Sequence, residues 1–438
     1  MLNTPQGDSK DVLTECMIEL PQDTTYAPGD LLRGKVNLKI SRGFLIIHSL
    51  RVSLKGVANA AIKGKKDDSC IDSCIYLKKD WNLLDGQTTT VESESSYGFQ
   101  EILPISLATS IQSPKASILY SIIATLEYFN EENEICIVKA VRGISIVENV
   151  DLNKYPKVFF EPRNECEQRK FGWFACTGGQ MKLSLSLERT AFVCGEALAI
   201  TGRIENKSDK HIEKVNAVLQ RRVRMGTDLN DASLPTFLDI QDVQEDFLAM
   251  YVVPGANIRI DKRIHIPPTP PTTQLTPQAK SGSRASQDIS GLFQLRRRST
   301  LRQSSQISLK TELRRIIAIS YYYSIKVKSA GTDVIELLIP VLIGSRPLKH
   351  PAVKTESFDM EAFPEAIYKQ CRIDKPVALL NERVRTLCNK AQLQHINKYP
   401  FYASLPTSSK QSKKLSTIAG NLRSEAKVVN LIMGHVPL

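Results

Sequence analysis

The stretch from Tyr26 to Ile40, Tyr-Ala-Pro-Gly-Asp-Leu-Leu-Arg-Gly-Lys-Val-Asn-Leu-Lys-Ile, decides the fold. It pairs a turn with a strand. Pro28 presets φ and Gly29 accepts positive φ, which suits the two central positions of a type II turn. Beyond the turn, Val36, Leu38 and Ile40 take one face of an extended segment and Lys35, Asn37 and Lys39 take the other. Period-two alternation of this kind marks a strand with one side in water, hence an antiparallel sheet. The pattern recurs at Leu50, Val52 and Leu54, at Leu183, Leu185 and Leu187, and at Tyr321, Tyr323, Ile325 and Val327. Helical periodicity is almost absent before residue 345. Many one-sided strands without helices predict β-sandwiches.

A second copy of the opening turn lies 166 residues on. Phe192-Val-Cys-Gly195-Glu196 repeats the aromatic, the two-residue gap, the glycine and the acid of Tyr26 to Asp30, and again leads into an alternating strand. Two such turns, each launching a block of similar length, predict two copies of one sandwich. The blocks span 11–148 and 173–346. Residues 149–172 are polar, contain Pro156 and Pro162 and lack alternation, so they read as a linker. The second block is interrupted at about 272–311 by a Pro-, Ser-, Gln- and Arg-rich stretch that reads as a disordered insertion. In the tail, 347–438, Val377, Leu380, Val384, Leu387 and Ala391 stand at helical spacing. A short amphipathic helix is expected there, with disorder beyond it.

The 438 residues carry a net charge of +12, with 42 % hydrophobic and 24 % charged residues. That composition excludes wholesale disorder. No apolar run approaches the ~20 residues of a membrane span, and the N-terminus has no basic segment leading into an apolar one. Nine irregularly spaced cysteines in such a chain read as reduced thiols. An intracellular protein is expected. Between Lys280 and Arg315, nine basic residues face two acids, so more than half of the excess charge sits in one loop. Within it, Arg296, Arg297, Arg298, Ser299 and Thr300 form the sharpest local feature. Three readings stay open for it: contact of the three guanidiniums with anionic lipid, a basophilic phosphorylation site at the following Ser and Thr, and a solubilising stretch with no ligand.

The ordered set of motifs resembles the arrestin family, in particular the α-arrestins (arrestin-domain-containing proteins). In the first block these are the Pro28-Gly29-Asp30 turn, Leu50-Arg-Val52-x-Leu54-x-Gly56, Leu103-Pro104 and Leu119 to Ala124. In the second they are Gly178-Gly179, Arg189-x-x-Phe192-Val-x-Gly195-Glu196, Ile204-Glu-Asn206-x-Ser208, Ile266-Pro267-Pro268 and Ile339-Pro340-Val341-x-Ile343-Gly344. The resemblance implies an all-β arrestin fold of two tandem immunoglobulin-like sandwiches, with Pro28, Gly29, Gly195, Glu196 and Asn206 as fold-defining turn residues. It implies a non-catalytic adaptor without cofactor or metal, cytoplasmic and peripheral at plasma membrane or endosomes. Such an adaptor binds cytoplasmic tails of membrane proteins and connects them to endocytic sorting or to HECT-type ubiquitin ligases. The departures are specific. Cys194 stands at a usual proline, and the first strand has no lysine to sense phosphate. No PPxY motif occurs, so ligase coupling is expected to be indirect.

The nearest approach to that motif is Tyr399-Pro400-Phe401-Tyr402, where Pro400 and Tyr402 form a degenerate WW-binding candidate. The alternative is that these residues dock the tail onto a sandwich. No HExxH, GxSxG, Walker or GxGxxG motif is present, and six scattered histidines make no catalytic pattern. Two other functions stay open: a retromer-like coat subunit without ligase recruitment, and a basic β-sandwich that binds nucleic acid. Nucleic acid is not expected, because no basic strand is interleaved with aromatics. Thiol-linked binding of thioredoxin, through Cys166 or Cys194, is a further reading that some α-arrestins suggest.

Overall fold

The structure is a computed structural model that describes residues 12–21, 24–63, 69–84, 86–130, 132–171, 179–231, 233–274, 314–349, 365–380, 384–388 and 392–403 of the chain. Its first sandwich holds β1 (Leu13–Glu19), β2 (Thr25–Tyr26), β3 (Leu31–Ile40), β4 (Leu45–Lys63), β5 (Ser69–Asn82), β6 (Thr89–Val91), β7 (Ser95–Ile102), β8 (Ile111–Gln112), β9 (Ala116–Phe129) and β10 (Ile135–Ile146). A sheet ordered β1-β3-β7 faces one ordered β2-β10-β9-β4-β5, with β6 on β4 and β8 on β9. The alternation read from sequence is the alternation of burial. Along β9 every other residue from Ala116 to Tyr128 is buried. These side chains contribute to a buried cluster that continues through both sandwiches.

The second sandwich holds β11 (Arg163–Lys170), β12 (Gly179–Leu187), β13 (Ala191–Val193), β14 (Ala197–Ser208), β15 (Ile212–Gly226), β16 (Thr236–Val252), β17 (Asn257–His265), β18 (Ile317–Ser329) and β19 (Thr332–Gly344). Its sheets run β11-β12-β14-β17 and β13-β19-β18-β15-β16. The segment 149–172, read as a linker, is therefore only partly one. It contains two 3-10 turns (Leu152–Lys154 and Lys157–Phe160) and then β11. That strand has no buried residue, so it carries no apolar alternation to betray it. Thr272 and Thr273, placed in the insertion by sequence, also belong to the fold. Thr272 N–H donates to Ile343 O at 2.9 Å and Thr273 N–H to Ile319 O at 3.0 Å, so they wedge between the ends of β18 and β19.

The internal repeat is structural. Gly29 and Gly195 have φ of 94° and 97°, values that favour glycine. Gly29 N–H donates to Leu103 O, and Leu103 N–H returns a bond to Asp30 O; Gly195 N–H and Ile266 N–H do the same with Ile266 O and Glu196 O. Each acid closes its own turn, Asp30 accepting from Ala27 N–H at 2.7 Å and Glu196 from Val193 N–H at 2.9 Å. The short strands beside the turns, β2 and β13, each pair in parallel with the last long strand of their sandwich. Asn206 is fully buried, donating to Lys210 O and Val252 O while accepting from Ser208. It staples the β14–β15 and β16–β17 connections.

The tail departs from its sequence reading. Val377, Leu380, Val384 and Leu387 are not on a helix among the described residues. Instead the tail forms β20 (Ile367–Gln370), β21 (Val377–Ala378), β22 (Gln394–His395) and β23 (Lys398–Phe401), paired β20–β23 and β21–β22. Helical spacing is a local signal, and here packing against two preformed sandwiches overrides it. The described part of 365–403 is a strap across both sandwiches. Tyr402 N–H donates to Cys194 O in the second, and Lys139 N–H of the first donates to Arg385 O.

Candidate functional site

The seam where the two sandwiches and the strap meet holds a concentrated buried polar network. At its centre lies Arg221 on β15, with a side chain 1 % exposed. Its strand neighbours on the same face, Leu219 and Val223, are apolar and fully buried, so the guanidinium enters the core. All three of its nitrogens are used. Nη1 donates to Asp374 Oδ1 of the strap at 2.9 Å, and Nη2 to Gln112 O of the first sandwich at 3.0 Å. Nε and Nη2 also reach Gln241 Oε1 on β16 at 2.9 and 2.7 Å. One cation thus joins three parts of the chain that are distant in sequence.

The network extends from there. Tyr399, fully buried, donates its hydroxyl to Asp374 Oδ2 at 2.9 Å, with Ser110 O 3.2 Å away. Burial opposes the charge on Arg221, but the Asp374 carboxylate outweighs it and holds the guanidinium above its ordinary range. Charge-assisted hydrogen bonds in a dry setting are the strong ones, and their loss leaves a bare buried charge. A second pin lies nearby. Arg315, next to β18, donates to Glu148 Oε1 at 2.7 Å, and Glu148 Oε2 accepts from Thr109. Ser345 donates to Glu148 O at 2.7 Å and its own carbonyl accepts from Tyr402 at 2.6 Å.

The strap is seated on glycines. A Cβ at Gly143 of β10 would lie 2.3 Å from the His395 ring, and one at Gly195 would lie 2.3 Å from Tyr402 O. Both sandwiches leave a side chain out where the strap crosses. Burial lowers the His395 imidazole to about 4, with Arg142 and Lys398 acting the same way. It is therefore neutral in place, 3.4 Å from Ser145 Oγ.

The candidate residues from the sequence fall out as follows. Pro28, Gly29, Gly195, Glu196 and Asn206 form the turns and staple described above. Pro400 and Tyr402 lie on or next to β23 and are buried in the seam, so the docked strap presents neither to a WW groove. Cys194 is buried with Sγ 3.4 Å from Thr269 O, and burial pushes its thiol up to about 12, which makes it a poor nucleophile. Cys166 is exposed on β11, 3.5 Å from Ser184 Oγ, and lines a shallow groove of about 700 Å³ with Ser184, Arg203 and Arg259. Arg296, Arg297, Arg298, Ser299 and Thr300 lie outside the described residues. Among the described residues no three His, Cys, Asp or Glu are placed to hold a metal, and no helix is long and apolar enough to cross a membrane. Sequence reading missed Arg221 and Asp374. The only signal was an arginine at a core-facing position of an otherwise alternating strand.

Comparison with known proteins bears on the second sandwich most directly. Residues 177–348 match the sequence model of the family described as arrestin (or S-antigen), C-terminal domain. Arrestin domain-containing protein 1 of Mus musculus is 25 % identical over 200 residues, 45 % of this chain and 44 % of that protein. The Homo sapiens protein of the same name gives the same figures. Arrestin domain-containing protein 4 of Mus musculus is 25 % identical over 217 residues, 46 % of this chain and 51 % of that protein. The chain spans about half the length of the curated relatives it matches. The family match falls on the second sandwich, and the first sandwich repeats the same turn architecture.

Proposed function

We propose that the protein is a non-catalytic adaptor in membrane-protein trafficking, which holds extended cytoplasmic segments of membrane cargo and brings them to sorting or ubiquitination machinery. The observation that carries this reading is the pair of sandwiches whose edge strands pair with no further strand among the described residues. The strand β5 ends its sheet, with Ile71 and Ile75 at 72 % and 64 % exposure. An edge of this kind accepts a peptide through its backbone groups, while outward side chains supply apolar contact. Recognition by backbone explains why no cargo-specific side chains stand out. Ligase coupling, in this reading, runs through a second adaptor, because the chain has no PPxY and its nearest substitute is buried.

The test is a screen of cytoplasmic-tail peptides on the immobilised full chain. Binding is expected for a subset, and the Ile71→Asp/Ile75→Asp variant should weaken it at least ten-fold with folding intact. Wild-type protein that binds no tail, or a variant that binds all of them undiminished, removes this reading. The nucleic-acid alternative is checked in the same format, with duplex DNA at two salt concentrations.

A further inference from the structure

The outer face of the second sandwich carries two arginines that form no ion pair among the described residues; the acid nearest in register on that face, Asp242, accepts from Gln220 at 3.1 Å. Arg222 and Arg224 stand two apart on β15, both pointing away from the core that Arg221 enters. Arg222 lies opposite Ser320 on one side and Ile240 on the other, and Arg224 opposite Ala318 and Leu238. The Arg222 guanidinium stacks over the Tyr322 ring at 4.1 Å, which fixes its plane. Its only hydrogen bond among the described residues is a long one, 3.4 Å to Gln220 Oε1, and its buried Nε has no partner among them. Burial lowers Arg224 from the ordinary arginine range, opposed only by Tyr322. By contrast, the buried arginines at the seam, Arg221 and Arg315, each have a carboxylate within 3 Å. A stacked, half-buried pair with spare donors is built to receive two anionic groups. Leu238 and Ile240, each about half exposed, border it and keep water partly away.

We infer that the acidic segment 350–364 of this same chain docks on Arg222 and Arg224. Three observations support that occupant. The first is charge. Residues 350–364 hold Glu356, Asp359 and Glu361 against Lys354, a net of −2 in a chain of +12. The segment 275–313 has seven basic residues against two acids, the wrong sign to answer the pair. The second is spacing. Asp359 and Glu361 are two apart, as are Arg222 and Arg224, and in extended chains both pairs repeat at roughly 6.6 Å.

The third is reach. Lys349 N–H is held by Asn153 at 2.8 Å, and Leu348 and Ala366 both pack against the cluster that contains Leu342 of β19. Both ends of the segment are therefore tied beside β19, and β15 is two strands away. Two strand spacings are roughly 10 Å, somewhat more where Thr272 and Thr273 separate the strands. Seven residues, half of the segment, reach roughly 23 Å. The segment can cover the pair and return.

Hydrogen exchange on the full chain tests this. In wild-type protein at low salt, amides of residues 356–361 should exchange at least ten-fold more slowly than an unstructured peptide. Protection should be lost in Arg222→Gln/Arg224→Gln and, independently of any effect on the sheet, in Asp359→Asn/Glu361→Asn. It should fall in 0.5 M NaCl and return when Arg222→Glu/Arg224→Glu is combined with Asp359→Arg/Glu361→Arg. Unstructured exchange rates in the wild type overturn the inference. So does protection that survives both neutral variants, or that appears only as protein concentration rises, which assigns the patch to a second copy. Free exchange of 356–361 together with protection of β15 by anionic lipid vesicles assigns it to a membrane surface.

Discussion

Arg221 shows how a residue that breaks the local pattern marks the place where the molecule is joined. Alternation along β15 calls for an apolar side chain there, and the cation is tolerated because Asp374, Gln241 and Gln112 meet four of its five N–H groups and Cys371 Sγ faces the fifth at 3.9 Å. Removing one partner of such a pair costs about 3–5 kcal/mol, whereas replacing both with apolar groups of similar size is often neutral. Asp374→Ala is therefore expected to destabilise the folded chain by that amount in chemical denaturation, and Arg221→Met/Asp374→Leu to recover most of the loss. Equal losses in the two variants mean that the charge pair itself supplies the stability. His395 sets a second residue-scale expectation. Its folded value of about 4 lies below the ordinary 6.5, so the unfolded or undocked strap binds a proton first. Docking is then at full strength above about pH 6.5 and weakens as pH falls towards 4. At pH 5 the loss is about 2 kcal/mol. Tryptic cleavage within 392–403, followed from pH 7.5 to 5, should accelerate in the wild type and stay flat in His395→Gln.

At the scale of elements, the long strands were legible and the short ones were not. Strands such as β3, β9 and β12 bury one face, and that face writes itself as period-two alternation. β11 buries neither face, so nothing in its composition separates it from a loop. The strap misleads in the opposite direction. Leu387 packs against the core cluster and Val377, Leu380 and Val384 are half-buried, and helical spacing among them does not produce a helix in the described residues. The candidate site suffered most, since Arg221, Asp374 and Tyr399 are brought together by docking and no local window contains two of them. The element-scale prediction uses the missing side chain of β10. Gly143→Val places a branched group where the His395 ring sits, 2.3 Å from even a Cβ. It should release β22 and β23, raising exchange across 392–403 at least ten-fold, while β9 and β10 keep their protection. Unchanged exchange in the strap means that the ring is not held against β10.

At the scale of the whole molecule, the two sandwiches are fastened by contacts that both must supply, and this governs which linear motifs the chain can display. Pro400 and Tyr402 keep part of a WW-binding pattern, yet Tyr402 is spent on Ser345 O and Cys194 O. A peptide of residues 395–406 and the full chain should therefore differ. The peptide lacks the first proline of the motif and is expected to bind isolated WW domains at least ten-fold more weakly than a full PPxY peptide. The full chain should bind more weakly still. Equal affinity of peptide and full chain means that the strap opens freely in solution.

The separation of Arg221 from Asp374 also has a consequence for synthesis. The two are 153 residues apart, and the carboxylate is made second. At roughly 5–20 residues per second, a nascent chain spends roughly 8–30 s with β15 translated and its central cation without a carboxylate. The Arg221 side chain cannot reach its final set of partners in that interval. A ribosome that stalls before residue 374 therefore holds two sandwiches that can meet through Arg315, Ser345 and Glu148 but still lack the carboxylate at the centre of their seam.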